Sequence, residues 1–582
     1  MHARSRRTLM RRILPALLAI LLVLCGVVAL RRDAIRHTLA HWTGEEELVE
    51  QLKGTAALAL LRLTQRPPET DPLAPIVPTG FSPYGVNTFL EQEPDPEKVD
   101  RTLAMIADAG FSWIRQQFPW EDIEISGKGD FWDHKWNVSA WAKYDRIVDL
   151  AEEHGLQIIA RLDNPPAWSR TIGDAKGWTL APPDDPEDYG DFVYAVVSRY
   201  KGRIRYYQIW NEPNIFPEWG DQPADPAGYT ELLQVAYRRA KEADPDCVII
   251  SAALAQTTEE TPLEFGPRNL SDLLYLEGMY AAGAQGHFDV MGAMVYGLWT
   301  GPYDLRMSRD RANVSRVQLL REIMVRHGDA TKPIWAAEVG WNALPEDFAG
   351  AATYGRVTPE LQARYAVEAY QRAAREWPWM GVMNYWFFRR PSDAERDQAW
   401  YYFRMVEPEF TTLPVYDALV ELAHEPPVAY IGFHQEDHRA LRFDGAWERV
   451  PDAAAVGGAY ARGAAGASLE VPFDGNRLAL VLRGAEPQGR IEVEVDGRPV
   501  HTERVWQEPH TGALAVTVAW PRGAGAHRAT IRVAEGSLEL DGVIVWRQRA
   551  AWGAWLLAGV GVIMAGWALT RAVRLLRGGR RG

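Results

Sequence analysis

Between residues 84 and 388 eight short apolar runs alternate with longer stretches whose apolar residues recur at helical spacing, and this alternation restricts the fold more than any other feature. The runs are Tyr84 to Phe89, Trp113 to Phe118, Gln157 to Leu162, Ile204 to Trp210, Cys247 to Ala253, Val290 to Val295, Ile334 to Glu338 and Val382 to Phe388. A strand covered on both faces reads as a continuous apolar run, and parallel neighbours need a crossover between them, usually a helix. The stretches Pro96 to Ala109, Ala140 to His154, Pro186 to Tyr200, Pro226 to Ala243, Asp310 to His327 and Pro359 to Glu376 supply such helices. A last one, about Val415 to His424, closes the series. Eight units of this kind predict an α/β fold with a closed (β/α)8 barrel, the TIM-barrel architecture. An open doubly wound sheet fits less well, because no glycine-rich phosphate loop follows the first run.

From about Val428 the helical period disappears. The runs Ser468 to Val471, Arg477 to Leu482, Arg490 to Val495, Leu514 to Val518 and Arg528 to Val533 alternate in twos between Gly, Pro and Asp-Gly turns, which predicts an antiparallel β-sandwich. A chain of 582 residues is long enough for both units.

Two further apolar segments, Ile13 to Leu30 and Ala550 to Thr570, are each long enough to cross a bilayer as a helix. Arginines lie before the first and after the second, so the positive-inside rule places both ends in the cytoplasm and everything between them outside. A cleaved signal peptide is the other reading of the first segment, and it leaves the central part outside as well. From Glu45 to Leu63 the chain reads as a helix, and Pro67, Pro68, Pro72, Pro75 and Pro78 then mark a linker. The expected organisation is a signal anchor at 13–30, a juxtamembrane helix and Pro-rich linker at 31–80, the barrel at 81–426, the sandwich at 427–547 and a second span at 550–570.

The net charge of −14 argues against nucleic acid as a partner, because phosphate binding needs a basic footprint. The only cysteines are Cys25 and Cys247, and no His or Cys cluster has metal-ligand spacing, so neither a disulfide framework nor a metal or other cofactor is expected. The 24 tryptophans are a heavy load, and sugar-binding clefts are one place where such a surplus goes.

In a barrel of this type the working groups sit where the strands end. The fourth run ends Trp210-Asn211-Glu212-Pro213 and the seventh ends Ala337-Glu338-Val339-Gly340-Trp341. Glutamates on these two strands can face one another across the barrel mouth, with room for a sugar ring between them. A retaining glycosidase holds such carboxyls about 5–5.5 Å apart. That chemistry needs one of the two glutamates protonated while the other is ionised. Arg115, if close to Glu338, would keep it charged, and Tyr296 could donate to it; partial burial and the neighbouring charge would keep Glu212 neutral. Asn211 could donate to the sugar 2-hydroxyl. Asp163 at the end of the third run could touch substrate or form a turn. Trp168, Trp341 and Trp386 could stack on sugar faces or pack the scaffold, as could Trp120 and Trp299.

Asn-Glu-Pro after the fourth run and Glu-x-Gly-Trp after the seventh resemble the signature of glycoside hydrolase clan A, over residues of about 81 to 426. Trp113-Ile114-Arg115, Pro166-Ala167-Trp168, Tyr296 and Trp386 extend the resemblance. It implies that Glu212 is the acid/base and Glu338 the nucleophile of a retaining glycosidase, and that the residues just named belong to the substrate site. The layout is similar to family 39-like membrane-tethered exopolysaccharide glycosidases. Met294 departs from the pattern, standing where related enzymes often carry a histidine two residues before the strand-six tyrosine. The expected function is hydrolysis of an extracytoplasmic poly- or oligosaccharide. A transglycosylase using the same covalent intermediate and a non-catalytic carbohydrate receptor are the alternatives.

Overall fold

The structure is a computed structural model that describes residues 31–76, 82–483, 489–507, 514–519 and 525–547. The apolar segments Ile13 to Leu30 and Ala550 to Thr570 lie outside the described residues, and among those described no helix is long and apolar enough to cross a membrane. The chain divides into two compact units, the first running to Pro427 with two short later pieces and the second made chiefly of the residues from Tyr460 onward.

The first unit is a (β/α)8 barrel. Its strands are β1 (Tyr84–Thr88), β2 (Trp113–Pro119), β3 (Gln157–Asp163), β4 (Tyr206–Ile209), β5 (Val248–Ile250), β6 (Met291–Met294), β7 (Ile334–Val339) and β8 (Met380–Tyr385). All neighbours pair in parallel in the order β5-β4-β3-β2-β1-β8-β7-β6, and single bridges from Ile250 to Val290 and from Leu254 to Ala293 close the ring. Each run of the sequence therefore became a strand.

Period-two alternation fills the barrel in layers. Trp113, Ile159, Tyr206, Ile250, Val290, Trp335 and Val382 form one apolar layer, in which the rings of Trp113, Tyr206 and Trp335 lie 4.9–5.4 Å apart. Two residues further along their strands, Trp113, Ile159 and Tyr206 are followed by Arg115, Arg161 and Gln208, so the interior turns from apolar to polar toward the strand ends. The ladder slips at β7, where Ala293 pairs with Ala336 but Met294 with Glu338. That extra residue breaks the alternation. Val339 joins the core outside the barrel, while Glu338 follows Ala337 inward.

Helices cover the barrel. Those labelled here are α1 (Arg32–Thr43), α2 (Leu48–Thr64), α3 (Pro96–Asp108), α4 (Ala142–Glu153), α5 (Pro186–Arg199), α6 (Pro226–Ala243), α7 (Asp272–Ala281), α8 (Val317–Arg326), α9 (Pro359–Glu376) and α10 (Pro414–Ala423). Four begin with the same device: Asp95, Asp185, Asp225 and Thr358 accept a backbone N–H of the first turn, and each is followed by a proline whose missing N–H costs nothing there. The helix expected from Asp310 begins only at Val317, after a short 3-10 turn. Helix α7 was not anticipated, because its residues are apolar on almost every side and show no single face.

The segment expected to be a juxtamembrane helix and Pro-rich linker is packed on the barrel. Gly44, with φ of 63°, ends α1, and its carbonyl accepts from Gly301 N at 2.8 Å. Arg306 donates to Thr43 O at 2.7 Å and to Glu45 at 2.6 Å, and Tyr365 on α9 donates to Glu46 at 2.7 Å. The proline-rich continuation is held too, since Arg321 donates to Thr70 O at 3.0 Å and Ala74 is buried. Composition suggested a free linker, but specific polar contacts from distant parts of the chain tie it to the barrel.

The second unit is a separate antiparallel β-sheet domain. Its central element is the 22-residue strand Gly525–Trp546, which pairs through its first half with Ser468–Gly475 and Gly489–Val495 and through its second half with Ala459–Ala464 and Arg477–Leu482. Leu469, Val471 and Phe473 alternate with partly exposed residues, as the sequence pattern requires.

Candidate active site

Glu338 sits at the centre of a buried polar network. Its Oε1 accepts from Arg115 Nη1 at 2.9 Å, and its Oε2 accepts from the Tyr296 hydroxyl. Arg115 uses the rest of its guanidinium on Asn87 Oδ1 at 2.8 Å, Gln208 Oε1 at 2.8 Å and Asn211 Oδ1 at 2.7 Å. Strands β1, β2, β4 and β7 thus meet in one side chain. Burial disfavours the charged guanidinium, and Glu338 is the largest influence in the opposite direction. Tyr296 leaves β6 just past Met294; burial and then the Glu338 charge push its hydroxyl well above the usual range, so it stays a donor.

Glu212 has the opposite environment. It is half-buried. Burial first, then the charges of Glu338 and Glu218, raise it well above the ordinary carboxylate range, against Arg115 and Arg161. Local backbone strain presents it. Trp210 and Glu212 both adopt positive φ, 70° and 42°, which is costly for residues with a Cβ. Trp210 N to Leu162 O at 3.0 Å and Glu212 N to Ala253 O at 3.0 Å hold the turn.

A third glutamate shares the site and has no signal in the sequence. Glu218, eight residues past Trp210, is half-buried and receives a hydrogen bond from Asn211; burial first, together with Asp163 and Glu338, pushes it up to about 7 against Arg161 and that bond. Asn211 therefore lies between Arg115, which donates to its oxygen, and Glu218. Asp163 is buried, accepts from Gln117 at 2.7 Å and lies 2.8 Å from Arg161 Nε. Arg161 was readable in principle, being in phase with Ile159 and Asp163 on β3. Tyr354, in the loop after β7, is raised by burial and by the charges of Glu212, Glu338 and Glu218.

The aromatic candidates separate. Trp386 continues β8, donates its backbone N–H to Val339 O at 2.9 Å, and meets Phe89 edge-on at 5.5 Å; it is half-buried next to the end of β7. Trp168 lies edge-on to the buried Trp120 at 5.5 Å and donates to Glu124 O at 2.9 Å, contacts that pack a loop rather than join the network around Glu338. Trp341 is corrected outright as a sugar platform. It is 0% exposed, donates to Thr300 O at 2.8 Å and packs on Tyr365, so no ring face is open to a ligand. Met294 is fully buried with Ala253 and Ala337.

The arrangement combines a carboxylate held by a cation and a hydroxyl with a second carboxyl that burial and that carboxylate's charge push toward its protonated form. Such a pair can give a proton to one side of a bond while attacking the other. Among the described residues no cluster of His, Cys, Asp and Glu could hold a metal ion.

No family model matches the chain. Endo-1,4-beta-xylanase C of Paenibacillus barcinonensis is 23% identical over 197 residues, 30% of this chain and 17% of its own length, so the chain spans less than a fifth of that relative. Similar solved structures include a family 39 glycoside hydrolase from Bacteroides cellulosilyticus WH2, 17% identical at a TM-score of 0.43 over 79% of this chain and 83% of that one. A GH39 enzyme from Xanthomonas axonopodis pv. citri is 14% identical at a TM-score of 0.42, covering 80% and 95%.

Proposed function

We propose that this chain is a retaining glycoside hydrolase that cleaves O-glycosidic bonds of a poly- or oligosaccharide outside the membrane, to which the segments Ile13 to Leu30 and Ala550 to Thr570 anchor it. The observation that carries the reading is the unequal setting of its two glutamates: Glu338 is held by Arg115 and Tyr296, and Glu212 is pushed toward its protonated form. In the first step a Glu338 oxygen attacks the anomeric carbon while Glu212 gives its proton to the departing oxygen, leaving a glycosyl ester on Glu338. In the second, Glu212 takes a proton from water, whose oxygen attacks the same carbon and frees Glu338. Arg115 and Tyr296 orient the attacking Glu338 oxygen and receive the carboxylate again when the ester is cleaved. Asn211, fixed by Arg115 and Glu218, is set to contact the sugar, and Trp386 offers a ring beside the nucleophile.

The test is hydrolysis of a panel of aryl β-glycosides and of surface glycans by the full chain in detergent, beside Glu212→Gln and Glu338→Gln. Release by the parent, with losses of roughly three orders of magnitude or more in Glu338→Gln, supports the reading. Equal release by parent and both variants would end it.

A further inference from the structure

Helix α2 is apolar on two sides, and only one of them is covered. With about 100° per residue, Gln51, Gly54 and Leu58 fall together on the face that packs against the protein. On the other side Leu48, Leu52, Leu63, Ala56, Val49 and Leu60 occupy an arc of about 120°, all of them exposed. Leu60 is 62% and Leu63 86% exposed, among the most open large apolar side chains in the described residues. A surface helix of a folded domain normally turns charged and polar residues to water on that side. This one turns aliphatic residues outward along its whole length, with Lys53 at the margin of the arc.

We infer that the open face of α2 lies in the surface of the lipid bilayer, taking up acyl chains and headgroup boundary as an interfacial helix. The inference rests on the anchoring by Ile13 to Leu30 proposed above. That apolar run ends where exposed Arg31 and Arg32 begin α1, a 12-residue helix about 18 Å long, and a turn of four residues then starts α2. The face is therefore leashed within a few tens of ångströms of the bilayer. Arg31, Arg32 and Arg36 are exposed at the near end, where basic residues suit the headgroup region. The composition of the face also favours lipid over a second copy: it is wholly aliphatic, whereas the centres of protein interfaces are enriched in Tyr, Trp and Arg. The contacts of Gly44, Glu45 and Glu46 with the barrel then make α1 and α2 a bracket that fixes the barrel against the membrane.

The test uses the full chain carrying Cys25→Ser and Leu63→Cys, labelled with a polarity-sensitive fluorophore and reconstituted in vesicles of phosphatidylethanolamine and phosphatidylglycerol. Ile172→Cys, at a site 61% exposed on the barrel unit, serves as the control. The inference expects blue-shifted emission at position 63, quenched by spin-labelled lipid at any protein-to-lipid ratio, and water-like emission at 172. Water-like emission at 63 in protein that stays with the vesicles after an alkaline wash overturns it and leaves the anchoring intact. Blue emission that lipid quenchers do not reach and that fades on dilution in lipid assigns the face to a second copy and overturns it too. Loss of the protein from the washed vesicles overturns both the face and the anchor. Hydrolysis is not read, so the glycosidase reading stands or falls separately.

Discussion

Arg115 on β2 and Glu338 on β7 meet at 2.9 Å inside the barrel although 223 positions separate them in the chain. The pair is almost wholly out of water, and the same guanidinium also satisfies Asn87, Gln208 and Asn211. Removing one partner of a buried pair strands the other charge, at a cost of roughly 3–5 kcal/mol. Arg115→Leu is therefore expected to lower unfolding stability by about that amount in urea titration at neutral pH. Arg115→Lys keeps a charge but not the planar fork, and should fold better than Arg115→Leu while losing most activity. Parental stability in both variants would show that the network is not formed.

Tyr296 donates to Glu338 and is kept protonated by burial and by that charge. A hydrogen bond to a charged group is worth about 1.5–3 kcal/mol. Tyr296→Phe should lower kcat by about 10–100-fold with little change in KM, because the bond orients the attacking oxygen more than it holds substrate. An unchanged kcat would make the hydroxyl idle.

Glu218 reaches about 7 and contributes to the upward shift of Glu212. Once ionised above neutrality, it makes loss of the Glu212 proton harder. In Glu218→Gln that repulsion is gone, Glu212 gives up its proton at lower pH, and the alkaline limb of kcat/KM should move to lower pH. A limb that stays in place or moves to higher pH would separate Glu218 from the acid.

Gly44 has positive φ, and a Cβ there would lie 2.7 Å from the Gly301 backbone. Gly44→Ala combines αL strain of roughly 1–2 kcal/mol with that clash. A fall in thermal unfolding temperature is expected, together with faster proteolysis between α1 and α2. No change in either would mean that α1 and α2 do not dock on the barrel.

The strands were legible because burial on both faces leaves unbroken apolar runs, and Glu212 and Glu338 stood out as candidates because they lie at or just past the ends of such runs, where barrels carry chemistry. What sequence hid has physical causes. Glu218 lies in a loop with no period to mark its direction. Helix α7 is covered on nearly all sides and shows no amphipathic face. Trp341 looks like its neighbours in composition, and only its buried bond to Thr300 O reveals a packing role. The inward turn of Glu338 depends on one extra residue in β7, which alternation alone would have placed differently.

The central claim is double displacement on Glu338, and the stereochemistry of the first-formed sugar tests it most directly. Once the panel has named a substrate, its hydrolysis should be followed by proton NMR in deuterated buffer, before the released sugar mutarotates. The account predicts that the anomer released first has the configuration of the bond that was cleaved, and that Glu338→Gln releases none. First release of the opposite anomer would mean direct attack by water, and Glu338 would not be the nucleophile.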